Sequence, residues 1–293
     1  MAETTKPLIW ACANGRTAAV QLLLNEGASP DACERDGVRP LLIAAQNGHF
    51  EVVNLLLRHN AKIDLQTDHT YIRLFLFEKF LHQFQDKLQD GGSALLCAAQ
   101  NGYTEVVEIL LKSGASVDSQ LSDGANGVFL AAQNGHLETM RTLLRYGCPL
   151  IPRNDGVSAL WMACQLGRDD VVHDLLAIGQ RDCARNDGAT ALFKAAHKGF
   201  SRIVDELISM GANKGILQNG ESALHAAALF GHEDVVRRLL EAGADVTLKN
   251  QTGETPFELA TQMNYERIAE LLSFSQRFSS NSNRLNQFHK NTT

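Results

Sequence analysis

Apolar and small residues recur along this chain at a stride of 32 or 33 residues. Each copy carries a leucine-like residue followed three positions later by an alanine. Residues three apart lie on one face of a helix, so each copy is predicted to begin with a helix whose buried side admits only a methyl group. The alanines of the eight copies are Ala11, Ala44, Ala98, Ala131, Ala163, Ala195, Ala227 and Ala260.

A leucine that recurs in every copy indicates a second helix. A marker glycine lies between the two helices in seven copies, and Asn264 replaces it in the eighth. The leucines are Leu23, Leu56, Leu110, Leu143, Leu175, Leu207, Leu239 and Leu272, and the glycines are Gly15, Gly48, Gly102, Gly135, Gly167, Gly199 and Gly231. A stride near 33 residues is typical of stacked helix pairs, each of which buries its apolar face against its neighbours.

Residues that cap helices and form turns fall between the predicted helices. Pro40 and Pro256 stand at predicted first helical turns, where a missing N–H costs nothing. The predicted N-cap residues are Ser93, Ser158, Thr190, Ser222 and Thr255. Six copies are preceded by Asp-Gly or Asn-Gly, which predicts a two-residue β-hairpin turn. These pairs are Asp36-Gly37, Asp90-Gly91, Asp123-Gly124, Asp155-Gly156, Asp187-Gly188 and Asn219-Gly220.

Three segments resemble the ankyrin repeat: residues 253–257 (GETPF), 222–227 (SALHAA) and 240–245 (LEAGAD). The resemblance implies an all-α ankyrin-repeat solenoid of about eight helix-turn-helix units joined by β-hairpin fingers. It also implies that the fingers and first helices line a concave face that binds protein partners. The array is expected over residues 1–273, with repeats near 6–33, 34–66, 88–120, 121–152, 153–184, 185–216, 217–249 and 250–273.

The histidine that the family carries early in the first helix is present here only as His225. The other copies hold apolar side chains at this position, which predicts stronger apolar packing and fewer side-chain hydrogen bonds. These residues are Leu42, Leu96, Phe129, Trp161 and Phe193.

The stride is broken once, where Gly48 and Gly102 are 54 residues apart, and the surplus falls at residues 69–89. This Phe-rich insertion carries Phe77, Phe80, Leu81 and Phe84 at spacings that suit an amphipathic arm. Such an arm could bind a partner groove or a membrane surface. The alternative is an insertion without a role, which a loop tolerates at little cost.

The charge, the apolar segments and the cysteines of the chain restrict its expected functions and its expected compartment. The net charge of −6 provides no basic field for nucleic acid, and no membrane-spanning segment or signal peptide is predicted. Six scattered cysteines without a CxxC pair indicate reduced thiols, so the cytosol or the nucleus is the expected compartment. Residues 274–293 lack periodicity and are expected to be disordered.

No catalytic or metal-binding residue is predicted. His49, His136 and His232 share one repeat position, which Tyr103 and Phe200 fill in other copies. A ligand or a general base is not interchangeable with Phe, so these histidines are predicted to pack or to cap turns. No HExxH, zinc spacing, GxSxG or phosphate-binding loop occurs. The chain is therefore not expected to be an enzyme or to bind a cofactor.

Partner-binding residues are predicted at a finger tip and at the ends of the first helices, where the copies differ. These residues are Arg35, Gln46, Asn47, Gln100, Asn101, Gln133, Asn134, Gln165, Leu166, His197, Lys198, Leu229 and Phe230. Amides suit a peptide backbone, and Leu229 and Phe230 are candidate anchors. The alternatives are that the asparagines favour the end of the helix and that the next repeat covers the apolar pair.

The sequence thus predicts a monomeric, non-catalytic scaffold or adaptor that binds a protein or peptide partner on its concave face and binds no nucleic acid. The alternative is a membrane-associated adaptor that uses residues 69–89 as an amphipathic arm.

Overall fold

The computed structural model describes residues 2–33, 37–66, 91–180, 184–212 and 216–277, in two compact units, Met1–Asn154 and Asp155–Thr293. The first unit contains α1 (Ala2–Ala13), α2 (Thr17–Asn25), α3 (Pro40–Gln46), α4 (Phe50–Arg58), α5 (Ala94–Asn101), α6 (Thr104–Lys112), α7 (Gly127–Asn134) and α8 (Leu137–Arg145). The second contains α9 (Ala159–Leu166), α10 (Asp169–Ala177), α11 (Ala191–Lys198), α12 (Ser201–Ser209), α13 (Ala223–Leu229), α14 (Glu233–Glu241), α15 (Pro256–Gln262) and α16 (266–277).

Within each unit, helices of one kind stack on helices of the same kind. In the first unit α3 packs on α1 and α5, while α4 packs on α2 and α6. In the second unit α11 packs on α9 and α13, while α12 packs on α10 and α14. The described residues form no β-strand, although Gln120 and Asn126 make an isolated β-bridge. The fold within each unit is the predicted all-α array of stacked helix pairs.

The recurring alanines and leucines form the core. All eight alanines are buried, as are seven of the eight leucines of the second helices. Leu23 is partly exposed, because the pair α1 and α2 stacks on one neighbouring pair, α3 and α4. Fixed-stride residues are therefore buried against the adjoining copy.

The predicted N-cap side chains all cap their helices. Each accepts a hydrogen bond from the backbone N–H three residues later. Asn126 caps α7 in the same way, and sequence reasoning missed it. Its Oδ1 accepts from Phe129 N at 3.0 Å, and its Nδ2 donates to the carbonyl oxygen of Pro149 at 2.7 Å. Pro40 and Pro256 are the first residues of α3 and α15, as predicted.

The hairpin turns are longer than predicted. Gly124 N donates to the carbonyl oxygen of Leu121 at 2.9 Å, and Leu121 N donates to that of Ala125 at 2.9 Å. The loop therefore has three residues, of which only Gly124 has a positive φ, +87°. A two-residue type I′ turn would force Asp123 into the left-handed region as well, at a cost for a residue with a Cβ. The Asp123 carboxylate instead accepts from Ala125 N at 3.0 Å.

In six copies the ring that follows the marker position packs on the marker glycine of the preceding copy. A Cβ on Gly199 would lie 2.6 Å from His232 Nδ1, and His232 Nε2 contacts the carbonyl oxygen of His197 at 3.1 Å. Rings of His49, Tyr103, His136, Phe200 and Tyr265 lie in the same way against Gly15, Gly48, Gly102, Gly167 and Gly231. A flat ring suffices here, which explains why His, Tyr and Phe interchange. The predicted packing role of these histidines is confirmed.

The position of His225 carries an inter-repeat hydrogen bond. His225 Nδ1 accepts from Ser222 N at 3.2 Å, which leaves Nε2 to donate to the carbonyl oxygen of Glu254 at 3.1 Å. At the same position Trp161 Nε1 donates to the carbonyl oxygen of Ala189 at 3.0 Å. The expectation of fewer side-chain hydrogen bonds is therefore wrong for Trp161, because the indole N–H replaces the imidazole N–H.

Acidification is expected to weaken the second unit through His225. Burial lowers the pKa of His225 below its ordinary value of 6.5. The unfolded chain then binds the proton more readily, so the stability present above pH 6.5 is lost as the pH falls through the lower folded pKa. Thermal denaturation at pH 7.5 and at lower pH would measure the loss.

The matched variant is His225→Phe, since Phe129 and Phe193 occupy this position in other copies. Part of the pH dependence should remain in this variant, because burial also lowers the pKa of His197. A pH dependence identical to that of the unaltered chain would contradict the role of His225.

The start of the expected disordered tail requires a correction. Helix α16 continues to residue 277, four residues beyond the expected end of the array at 273. Residues 274–277 contain neither Gly nor Pro, so nothing in them stops the backbone ladder. The remainder of the predicted tail lies outside the described residues.

Four of the cysteines are buried: Cys12, Cys97, Cys148 and Cys164. Burial raises the pKa of Cys12 and of Cys97 to about 12, so both are protonated thiols at neutral pH.

Candidate functional site

The residue before the marker glycine differs systematically between the two units. The first unit carries asparagine there in all four copies: Asn14, Asn47, Asn101 and Asn134. The second unit carries Leu166, Lys198, Phe230 and Met263. The first-helix ends are therefore amide-rich in one unit and apolar or cationic in the other.

The asparagines complete helix ends. Asn101 Nδ2 donates to the carbonyl oxygen of Cys97 at 2.8 Å, and Asn134 Nδ2 donates to that of Leu130 at 2.9 Å. Asn47 Nδ2 donates to the carbonyl oxygen of Ala13, in the preceding copy, at 3.1 Å. The carbonyl of Ala13, the last residue of α1, has no partner within its helix, whereas those of Cys97 and Leu130 lie one position before the unpaired last four of α5 and α7. The amide donors are thus engaged inside the array, which agrees with the alternative that the asparagines favour the end of the helix.

Gln46 requires a correction. It was predicted to meet a partner, but it is 1% exposed within α3, whose residues are all buried. In the described part of the chain neither its Nε2 nor its Oε1 has a hydrogen-bond partner. Gln100 and Gln133, at the same repeat position, are partly exposed. Arg35 and the arm residues Phe77, Phe80, Leu81 and Phe84 lie outside the described residues.

The second unit presents a continuous set of first-helix side chains. Residues at i, i+3 and i+4 share one face of a helix, and α11 packs between α9 and α13. We name this surface the α9–α11–α13 face. It consists of Met162, Gln165 and Leu166 on α9, Lys194, His197 and Lys198 on α11, and Leu229 and Phe230 on α13.

Large apolar side chains are exposed on both sides of α11. Leu166 is 41% exposed and Phe230 is 46% exposed. Leu229 is partly exposed beside Phe230. This exposure contradicts the alternative that the next copy covers the Leu229–Phe230 pair.

His197 joins the middle of the face to its apolar edge. The ring centroids of His197 and Phe230 are 4.3 Å apart. Burial, followed by the charges of Lys194 and Lys198, lowers the pKa of His197. The imidazole is therefore neutral at physiological pH and extends the apolar surface of Phe230.

The middle of the face is cationic. Lys194 Nζ lies 5.5 Å from the centroid of the Trp161 ring, and Arg185 Cζ lies 5.8 Å from it. Burial lowers the pKa of Lys194, and the positive charges of Lys198 and Arg185 lower it further while Asp187 opposes them. Among the described residues no carboxylate lies within 4.0 Å of Lys194 or Lys198. Positive charge is thus concentrated on α11, and Asp187 offsets it only in part.

Neither a metal-ligand cluster nor a membrane-spanning helix occurs in the described ranges. There, no three His, Cys, Asp or Glu side chains come together as metal ligands would. The described helices are all too short or too polar to cross a bilayer.

Comparison with known families identifies the protein family of this chain. A model of ankyrin repeats, in blocks of three copies, matches residues 2–67, 95–186, 160–250 and 192–284, which together cover well over half of the sequence. The chain belongs to the ankyrin-repeat family. Ankyrin repeats are in general modules of protein–protein interaction, and typically non-catalytic. No curated protein matches this ankyrin-repeat chain.

Sequence reasoning identified Gln165, Leu166, His197, Lys198, Leu229 and Phe230 on this ankyrin surface but missed Lys194. The sequence contained the signal for Lys194, because this residue lies three positions before His197 and four before Lys198 and so shares their helix face. Arg185 was missed as well, since only the fold brings its guanidinium to the ring of Trp161.

Proposed function

We propose that this ankyrin-repeat chain is a non-catalytic scaffold or adaptor that binds a partner protein or peptide through the α9–α11–α13 face. The observation that carries the proposal is the exposure of Leu166 and Phe230 on either side of the cationic helix α11. Apolar anchors beside charged groups are typical of binding surfaces. The proposal includes a monomeric chain in the cytosol or nucleus that does not bind nucleic acid.

The double substitution Leu229→Ala/Phe230→Ala is expected to remove partners from the chain in cells. It deletes the two apolar side chains beside His197, and truncating an anchor commonly weakens binding by about 2 kcal/mol or more. Proximity labelling of the full chain, compared by quantitative mass spectrometry, would measure the loss.

The matched control is Ile178→Ala/Met210→Ala. These are large apolar side chains exposed in the same unit, but they stand at the C-caps of the second helices α10 and α12. The control should keep the labelled set of the unaltered chain. An unchanged set in Leu229→Ala/Phe230→Ala would remove the anchor assignment.

Two finer ideas remain proposals. One is the membrane-associated adaptor, which depends on residues 69–89, outside the described part of the chain. The other is a particular likeness of residues 184–199 and 215–231 to ankyrin repeat domain-containing protein 29, a chain made almost wholly of such repeats. The repeat boundaries given above are likewise proposals.

A further inference from the structure

We propose that the α9–α11–α13 face recognises a peptide in the polyproline II conformation, with an acidic residue at its centre and a hydrophobic residue three positions away on each side. This inference rests on the proposed function and specifies the chemistry of the partner. It follows from the order of side chains across the three helices: apolar on α9, cationic on α11 and apolar on α13.

The central requirement is a negative charge. Lys194 and Lys198 are four residues apart on one helix, and Arg185 lies against the same Trp161 ring as Lys194. The like charges oppose one another, because Lys198 and Arg185 lower the pKa of Lys194 further than burial, the largest cause, already does. Asp187 is already engaged with Arg185, with 3.7 Å between Nε and Oδ2. A carboxylate from a partner would relieve this repulsion and would be attracted locally despite the net charge of −6.

The flanking requirement is apolar. Leu166 lies on one side of the cations, while Leu229 and Phe230 lie on the other with the neutral His197 against the Phe230 ring. Axes of packed helices are about 8–10 Å apart. A peptide in the polyproline II conformation rises about 3.1 Å per residue and has three residues per turn. Side chains three positions apart therefore share one face and lie about 9 Å apart, which matches the step from α11 to α9 or α13.

The experiment is a selection from a display library of randomised nine-residue peptides on the full chain. The unaltered chain should enrich peptides with Asp or Glu at the centre and hydrophobic residues three positions away. Lys194→Glu/Lys198→Glu should bind the selected peptides about tenfold more weakly or worse, and should enrich Lys or Arg at the centre.

Two further variants separate charge from folding. Lys194→Gln/Lys198→Gln removes the charges without reversing them and should weaken binding of the selected peptides to a smaller extent. Arg202→Glu is the matched charge reversal, because Arg202 is an exposed cation on α12 of the same repeat. It should leave the selected motif and the affinity unchanged. Circular dichroism of each variant verifies that the helices are retained.

The inference is overturned if no peptide is enriched, if the enriched peptides show no excess of central acids, or if Lys194→Glu/Lys198→Glu selects the original motif. Its failure differs from that of the proposed function. If only the chemistry is mistaken, Leu229→Ala/Phe230→Ala still loses partners in cells. If the function is mistaken, that variant keeps them all.

Discussion

Leu207→Ala is expected to lower the free energy of unfolding of the second unit by about 2–5 kcal/mol. Leu207 is 0% exposed in α12, which packs on α10 and α14. The loss combines the transfer free energy of the removed methyl groups with the cost of a cavity between neighbouring copies. Urea denaturation monitored by circular dichroism would measure it as a shift of the midpoint.

The matched control is Leu22→Ala in α2. Leu22 is 59% exposed, so its truncation leaves no cavity and should change stability by about 0.5 kcal/mol or less. Equal losses in the two variants would contradict the assignment of the recurring leucines to the core.

The second large effect is expected from Gly199→Ala, which should cost about 2–4 kcal/mol. Gly199 has φ +79°, where a Cβ is unfavourable, and the added atom would fall 2.6 Å from His232 Nδ1. The ring cannot move freely, because its Nε2 contacts the carbonyl oxygen of His197. Thermal denaturation would measure the cost.

Gly179→Ala isolates the two causes. Gly179 has φ +84°, but nothing lies within 4 Å of its added Cβ. It should therefore show only the backbone penalty, about 1–2 kcal/mol. If both variants lose the same stability, the close approach of the His232 ring has no energetic weight.

The family fold could be predicted from the sequence because its determinants are local and repeated. The alanine of each first helix and the leucine of each second helix recur at one stride, and neither Ala195 nor Leu207 has another place to be buried than the adjoining copy. Capping residues such as Thr190 mark the helix starts. Because the pattern is repeated, each copy supports the same prediction independently of the others.

Other features depend on geometry that a single repeat does not encode. The turn at Asp123-Gly124 takes a third residue because the backbone of Asp123 avoids the left-handed region. Gln46 was grouped with Gln100 from its position, yet only Gln46 is fully buried. Trp161 was expected to pack only through its apolar surface, while its N–H reaches a carbonyl of the next copy.

The candidate site was partly visible in the sequence. The exchange of Asn134 for Leu166, Lys198 and Phe230 in later copies is readable directly. That the asparagines are consumed at helix ends, and that Lys194 joins Lys198 on one face, required the hydrogen bonds and the packing of the helices. Function therefore concentrates where the copies depart from the repeated pattern.

Hydrogen exchange of the full chain, with and without Leu207→Ala, tests most directly whether each copy is stabilised by its immediate neighbours. The account expects faster exchange in α11 and α12 and in the adjoining helices α9, α10, α13 and α14, with unchanged protection in α3 to α6. Equal acceleration across all described helices would show a single cooperative core and would contradict a nearest-neighbour array.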